Sequence, residues 1–311
     1  MLGKGTYVIL IRYNYITVQY DSSMSNTVNI TPFYHGPTNS WSYIVADSTS
    51  RVCALIDPVM DFEMASGKVH PGFAKQLLEF VEAHGLSVEW VLETHIHADH
   101  LSAADYIRGR TGARVGIGVG VHAVSQLFEQ VFNLGDRHPD VSEAFDDLFE
   151  AGQTIPLGSS LITVMAVPGH TPACVAYRVS EAVFIGDTLF RPDYGTARTD
   201  FPGGNAGELY ASIQQLLALP DDTMLYLCHD YPSHPQSAPQ ASCSVREARD
   251  NVQLQAGDMN GFVRFREQRD TELDTPKLLY PAIQINLAAG RLPEPELEQQ
   301  RFLKLPIFVD P

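Results

Sequence analysis

The chain has 311 residues, 44% of them hydrophobic and 10% aromatic, with a formal net charge of −16. That apolar content excludes wholesale disorder, and the length suits one large domain or two small ones. The acidic balance excludes the broad basic face that nucleic acid or an anionic membrane needs, so neither is an expected partner. Cys53, Cys174, Cys228 and Cys243 are too few and too scattered for a disulfide framework, and no CxxC pair occurs. A reduced, cytoplasmic protein is expected. The longest apolar run, residues 7–18, is interrupted by Arg12 and Asn14. It is too short and too polar to span a bilayer, and Lys4 alone makes a poor signal-peptide start.

Residues 6–19 are β-branched and aromatic, which predicts a strand or a loose arm. A more ordinary sequence opens at Met24, so residues 1–23 are either an N-terminal arm or an over-extended start. Apolar runs at 41–46 and 52–56, split by Asp47-Ser48-Thr49-Ser50, predict a hairpin. Phe73, Leu77, Leu78, Phe80 and Val81 recur at helical spacing, and Gly85 closes that helix. Residues 88–92 form a buried strand, 103–110 a short helix, 115–119 a strand and 122–132 a helix. Residue 155 and runs 161–167, 174–179 and 182–185 predict successive strands with tight turns. A helix over 209–219 stops at Pro220, and 224–228 is the final core strand. The tail holds a helix near 259–269 and then Pro-rich extended chain. The organisation is an arm over 1–23, a main domain over 24–243, and a C-terminal helix with an extended tail over 244–311 packing on it. The fold class is mixed α and β (α/β or α+β), with two groups of strands and helices outside them.

The chemistry sits at strand ends. Strand 88–92 runs into Glu93-Thr94-His95-Ile96-His97-Ala98-Asp99-His100. Three imidazoles and a carboxylate within six residues are poor core material, because burying them unpaired costs several kcal/mol each, on the order of 2–7. A metal removes that cost by taking the lone pairs. In extended chain His95 and His97 point the same way, so both can face one centre. Three further strand ends supply partners: Gly169-His170-Thr171, Gly186-Asp187-Thr188 and His229-Asp230-Tyr231. Isolated histidines such as His35, His84, His122, His138 and His234 are expected to be surface or satisfied core groups.

With these residues quoted, the chain resembles the metallo-β-lactamase superfamily over about residues 28–231. The resemblance implies an αββα sandwich with the metal site at one edge of two packed sheets. Within that superfamily, His97-Ala98-Asp99-His100-Leu101-Ser102-Ala103-Ala104 and Pro168-Gly169-His170-Thr171-Pro172-Ala173-Cys174 resemble the persulfide dioxygenases. Gly186-Asp187-Thr188-Leu189-Phe190, the Gly195 to Gly204 stretch with Arg198-Thr199-Asp200-Phe201, His229-Asp230-Tyr231 and Pro281-Ala282-Ile283-Gln284-Ile285-Asn286 do so as well. Two departures, an insertion over 122–149 and a long tail after Arg291, are similar to a longer bacterial branch of that family.

What the resemblance implies is a mononuclear Fe(II), one per chain, held by His95, His170 and Asp187. Two histidines and a carboxylate leave one face of an octahedral iron open. The substrates implied are glutathione persulfide and O₂, the products sulfite and glutathione, and the assembly a homodimer. His97, Asp99, His100 and His229 would orient ligands or hold a second metal. Arg198 is a catalytic and substrate-binding candidate because glutathione brings two carboxylates to an acidic chain. Its competing role is an ion pair with Asp193 or Asp200. Tyr231, as a catalytic and binding residue, and Asn286, as a binding residue, follow from the resemblance alone. The alternative is a glyoxalase II-like thioester or lactone hydrolase with a Zn(II) pair bridged by Asp187, and the ligand set does not exclude it.

Overall fold

The computed structural model describes residues 9–12, 15–18, 28–231 and 238–309. Two sheets form its centre. The larger has eight strands, with Ser40–Asp47 and Val52–Ile56 as an antiparallel pair, followed by parallel Ser87–Leu92 and Arg114–Gly118. The smaller has six strands, running from Thr154–Leu157 to Ser242–Ser244. Facing side chains of the two sheets interlock: Tyr43, Val45, Ile56 and Leu92 from one meet Val164, Tyr177 and Phe184 from the other. The side chains between the sheets form one buried hydrophobic cluster, so the driving term is the area removed from water.

Helices cover the outer faces. Gly72–Ala83, Ala104–Thr111, Val121–Phe132 and Leu279–Asn286 pack on the eight-stranded sheet, burying Phe73, Leu77, Ile107, Phe128 and Ile283. Ala206–Leu217 and Met259–Asp270 pack on the six-stranded sheet through Leu209, Ile213 and Phe262. The order helix, sheet, sheet, helix is the sandwich that the resemblance implied.

The local expectations hold where periodicity carries them. The helix expected to close at Gly85 is Gly72–Ala83, and Gly85 takes φ +60°. The tail departs from expectation. Residues 279–286, expected as extended chain, form a helix in which Pro281 sits in the first turn, where its missing N–H costs nothing. The strand 224–228 is not the last one, since Ser242–Ser244 pairs with Met224–Tyr226. A hairpin of Val59–Glu63 and Lys68–His70 also adds a small three-stranded sheet with Leu101–Ser102. Of the N-terminal segment, Ile9–Arg12 and Tyr15–Val18 pair with each other, and Thr17 meets Phe33 at the edge of the larger sheet. The rest of residues 1–23 and His234 lie outside the described residues. Among the described residues no helix is long and apolar enough to cross a membrane.

Candidate metal centre

Four strand ends deliver the chemistry to one edge of the sandwich. Strand Ser87–Leu92 leads into residues 93–100, Ser160–Ala166 into His170, Ala182–Phe184 into Asp187, and Met224–Tyr226 into His229. Two turns need glycine. At Gly169 φ is +136°, and a Cβ would stand 2.2 Å from the Leu209 nitrogen. At Gly186 φ is +52°, and a Cβ would meet the Thr94 hydroxyl at 2.8 Å. These two turns bring His170 and Asp187 round to face His95.

The donors divide into two groups. Ligand atoms of His95, His170 and Asp187 lie within 4.8 Å of one another, and so do those of His97, Asp99, His100 and His229. Extended chain would let His95 and His97 face one centre, whereas the resemblance assigns them different roles. The chain bends at 94–95 and 98–100, and the two rings, with centroids 4.1 Å apart, fall in different groups. Asp187 stands between the groups. Its Oδ2 is 3.9 Å from His95 Nε2 and 3.8 Å from His170 Nε2, while its Oδ1 is 3.4 Å from His229 Nε2.

Each imidazole has one nitrogen tied down. His170 Nδ1–H donates to the Arg198 carbonyl at 2.8 Å, and His100 Nδ1–H to the Leu101 carbonyl at 3.3 Å. His95 Nδ1 meets the Thr94 hydroxyl at 3.0 Å, and that hydroxyl donates onward to Asp57. His229 Nδ1 meets the Ser40 hydroxyl at 3.3 Å. His97 Nε2 lies 3.1 Å from Asp57 and 3.2 Å from Glu93. The opposite nitrogens of four of them, His95 Nε2, His97 Nδ1, His100 Nε2 and His229 Nε2, are buried without a hydrogen-bond partner, as are Asp99 Oδ2 and Asp187 Oδ1. Six orphaned polar atoms would be costly in a packed interior, and metal binding would satisfy them: His95 Nε2 in the first group, those of His97, Asp99, His100 and His229 in the second, and Asp187 Oδ1 beside His229. The donor set therefore fits a metal, and the tied nitrogens fix which face each ring presents.

Electrostatics among the protein groups favour a metal at His95 and His100 but not at His97. Burial, and then the neighbouring imidazoles, hold His95 and His100 well below the usual range, so both are neutral and offer a lone pair. Burial alone would do the same to His97, but Asp57 and Glu93 raise it well above. Asp99 would be raised by burial, and the His229, His100 and His97 rings lower it instead.

The centre opens into a pocket of about 700 Å³. His100, Asp99, His170 and Asp187 are among the residues that line it, as are the cations Arg198, Arg266, Arg269 and Lys277 and the carboxylates Asp61, Glu63 and Asp274. Tyr231 also lines it, stacked on His229 at 5.5 Å and on Tyr194 at 4.9 Å. Burial, then Asp99 and Asp187, push its phenol well above the usual range, so it remains an O–H donor. Arg198 donates from Nε and Nη2 to both oxygens of Asp200 at 2.6 and 2.7 Å, and from Nη1 to the Asp274 carbonyl. The Asp200 pairing set out as its competing role is thus formed, while the guanidinium still borders the pocket.

Asn286 does not border the pocket. It is buried, and its amide is fully used: Oδ1 accepts from Ser102 N, and Nδ2 donates to the carbonyls of His97 and His100, each at 2.8 Å. It ties the C-terminal helix to the histidine loop instead of facing a substrate. Most of the isolated histidines behave as expected. His35 is satisfied by Thr38 and Asp61, and His84 and His122 are exposed, while His138 bonds Ser125 through Nε2 and leaves its buried Nδ1 without a partner. Sequence reasoning missed Asp57, which accepts from Thr94 N and Oγ1 and braces His97. Its signal was present: it directly follows the buried strand Val52–Ile56, the same placement as the other ligands. Glu93 was passed over as well, though it holds His97 on one side and accepts from the Ser102 hydroxyl on the other.

Comparison with known proteins gives the same picture. Residues 35–229 match the model of the Metallo-beta-lactamase superfamily. The chain is 46% identical over 286 residues to a protein of Burkholderia pseudomallei named "Probable metallo-hydrolase", covering 88% of this chain and 97% of that one. It is 47% identical over 281 residues to the "Beta-lactamase hydrolase-like protein" of Agrobacterium fabrum, covering 90% of this chain but spanning only 65% of that protein's length. The crystal structure of ETHE1 from Myxococcus xanthus superposes with a TM-score of 0.68 at 27% identity, over 84% of this chain and 99% of that one. The human protein "Persulfide dioxygenase ETHE1, mitochondrial" is 29% identical over 195 residues, 62% of this chain and 64% of its own. Fold, donor set and sequence match agree, and the chain belongs to the metallo-beta-lactamase superfamily.

Proposed function

We propose that this chain is a glutathione-dependent persulfide dioxygenase, with one Fe(II) held by His95, His170 and Asp187. The observation that carries the proposal is the separate two-histidine, one-carboxylate donor group, of which His170 and Asp187 border a pocket also lined by Arg198, Arg269 and Lys277. Likeness to ETHE1 over nearly the whole of that chain supports it. Bound there, Fe(II) would supply redox chemistry and an open coordination face for a persulfide sulfur and O₂, which zinc has no electrons to match. In the reaction the outer sulfur is oxidised to sulfite. O₂ is reduced and delivers two oxygens, water delivers the third, and the glutathione thiol leaves with a proton.

The chain's own residues do the rest. His170 is oriented by its bond to the Arg198 carbonyl and His95 by Thr94, so both present Nε2. Arg198, Arg269 and Lys277, all bordering the pocket, are the cations that would receive the carboxylates of glutathione in an acidic protein. Tyr231 offers a phenolic O–H to the same pocket. His97, Asp99, His100 and His229 shape the adjoining space.

One observation favours a second reading. The ligand atoms of His97, Asp99, His100 and His229 also lie within 4.8 Å of one another, and Asp187 reaches His229 through Oδ1. Filled by a second cation, it would make a glyoxalase II-like thioester hydrolase with metal-bound hydroxide as nucleophile. Metal analysis with O₂ uptake on glutathione persulfide separates the two. The dioxygenase reading expects one iron per chain, O₂ uptake, and near-stoichiometric iron in His100→Ala and His229→Ala. Two metals per chain with thioester hydrolysis and no O₂ uptake would overturn it.

A further inference from the structure

The loop that carries Arg198 is held from outside the superfamily match, which ends at residue 229. Residues 191–200 belong to no helix or strand, so their main-chain groups must find partners elsewhere. Side chains of residues 251–270 bond five main-chain atoms of residues 194–199. Gln253 Nε2 donates to the Tyr194 carbonyl at 3.1 Å, and Asn251 Nδ2 to the Gly195 carbonyl at 2.8 Å. Gln253 Oε1 accepts from Thr196 N at 2.9 Å, and Arg266 Nη1 donates to the Thr196 carbonyl at 3.2 Å. Asp270 Oδ2 accepts from Thr199 N at 2.9 Å and from the Thr199 hydroxyl at 3.1 Å.

Arg266 and Asp270 form a buried ion pair, 1% and 5% exposed. Nε and Nη2 of the arginine meet Asp270 Oδ1 at 3.0 and 2.8 Å, and Nη1 also donates to Gln253 Oε1 at 2.9 Å. Arg266 borders the pocket, but these bonds direct its fork into the fold. Replacing a buried ion pair by apolar residues of like volume is often neutral in stability, so stability alone does not explain this one. Its directed bonds do. They reach the main chain at Thr196 and at Thr199, on either side of Arg198. Between those anchors the Arg198 carbonyl accepts from His170 Nδ1 at 2.8 Å, and the Arg198 guanidinium borders the pocket.

We propose that Arg266 and Asp270 are positioning residues. With Asn251 and Gln253 they make the C-terminal segment a clamp on the Arg198 loop, so that one residue both orients a metal donor and presents a cation to an anionic substrate. A loop already held in its binding conformation loses no further freedom when the ligand arrives, which raises affinity. The substrate half of the proposal rests on the reading that Arg198 receives a glutathione carboxylate. The metal half, acting through His170, is independent of that reading.

Metal-loaded wild type, Arg266→Met/Asp270→Leu, Arg198→Ala and the triple combination are titrated with glutathione by calorimetry, after the melting temperature of each is recorded. Removing both charges together avoids stranding one in the interior. Losing a hydrogen bond to a charged group weakens binding about tenfold or more, and that loss is expected for the paired variant. In the Arg198→Ala background the same pair should change glutathione binding by no more than about twofold, because its effect passes through Arg198. Co(II) affinity, read against a competing chelator, should fall about tenfold in both backgrounds, since a main-chain carbonyl that alanine keeps orients His170. Glutathione binding unchanged by the pair would overturn the proposal. An equal loss with and without Arg198 would overturn it too, by assigning the effect to general loosening. Should wild type itself not bind glutathione, the substrate reading fails and Co(II) affinity decides alone: a loss of about tenfold upholds the clamp, and wild-type affinity overturns it. If the paired variant does not fold, Gln253→Met takes its place with the same expected and refuting results, since it removes bonds to Tyr194 and Thr196 from a half-buried position.

Discussion

Replacing Asn286 by alanine should loosen the metal loop, not the substrate site. The amide makes three buried hydrogen bonds: Ser102 N donates to it, and it donates to the His97 and His100 carbonyls. Each such bond contributes about 1 kcal/mol net, and a buried group left unmet costs about 1–3 kcal/mol. With three groups orphaned at once, the loss comes to about 3–9 kcal/mol, a large share of the 5–15 kcal/mol that typically holds a domain together. Both carbonyls belong to residues whose side chains are metal donors, so part of the loss should appear as weaker metal binding. Drawing even about 1.4 kcal/mol from that equilibrium lowers affinity tenfold. Asn286→Asp should be worse than alanine, since it keeps the acceptor for Ser102 but turns a carboxylate toward two carbonyls. Urea unfolding and metal competition measure the two components. Unchanged stability and metal affinity, together with a raised KM for glutathione persulfide, would refute the reasoning and return Asn286 to the substrate contact that the family resemblance suggested.

Alanine at His95, His170 or Asp187 should each empty the first donor group, because three donors leave no spare, and metal content of the purified variants checks this. Arg198→Ala should raise KM for glutathione persulfide with metal content intact, whereas an unchanged KM would reduce this arginine to a tie among Asp200, Asp274 and its own loop. Asp47 gives a pH signature. Burial alone would raise its pKa, but bonds from Ser159, Ser50 and Ser160 hold it well below the carboxylate range. A folded pKa below the unfolded value of about 4 means that this contribution is fully present above pH ~4 and is lost as pH falls below it. Asp47→Asn should therefore be less stable than wild type at neutral pH and lose less stability on acidification, as read by thermal melts across that range.

Local pattern alone determined much of this protein. Apolar runs bounded by turns placed the strands, helical spacing placed the helices at 72–83 and 121–132, and a histidine- and aspartate-rich segment past a buried strand marked a metal centre. Those signals are legible because each depends on residues near one another in the chain. Tertiary structure decided the rest. It separated His95 from His97, since the bends of residues 93–100 and the bracing of His97 by Asp57 and Glu93 set which ring nitrogen faces which group. It gave Arg198 a partner in Asp200 and Asn286 a place under the loop 184 and 189 residues away along the chain. It turned residues 279–286 from apparent extended chain into a buried helix, because packing of Ile283 and Ile285 on the sheet outweighs the breaking tendency of one proline in a first turn. Spacing along a chain records which residues can reach a site, but hydrogen bonds that close across the fold choose among them, and their partners are fixed only when the layers pack.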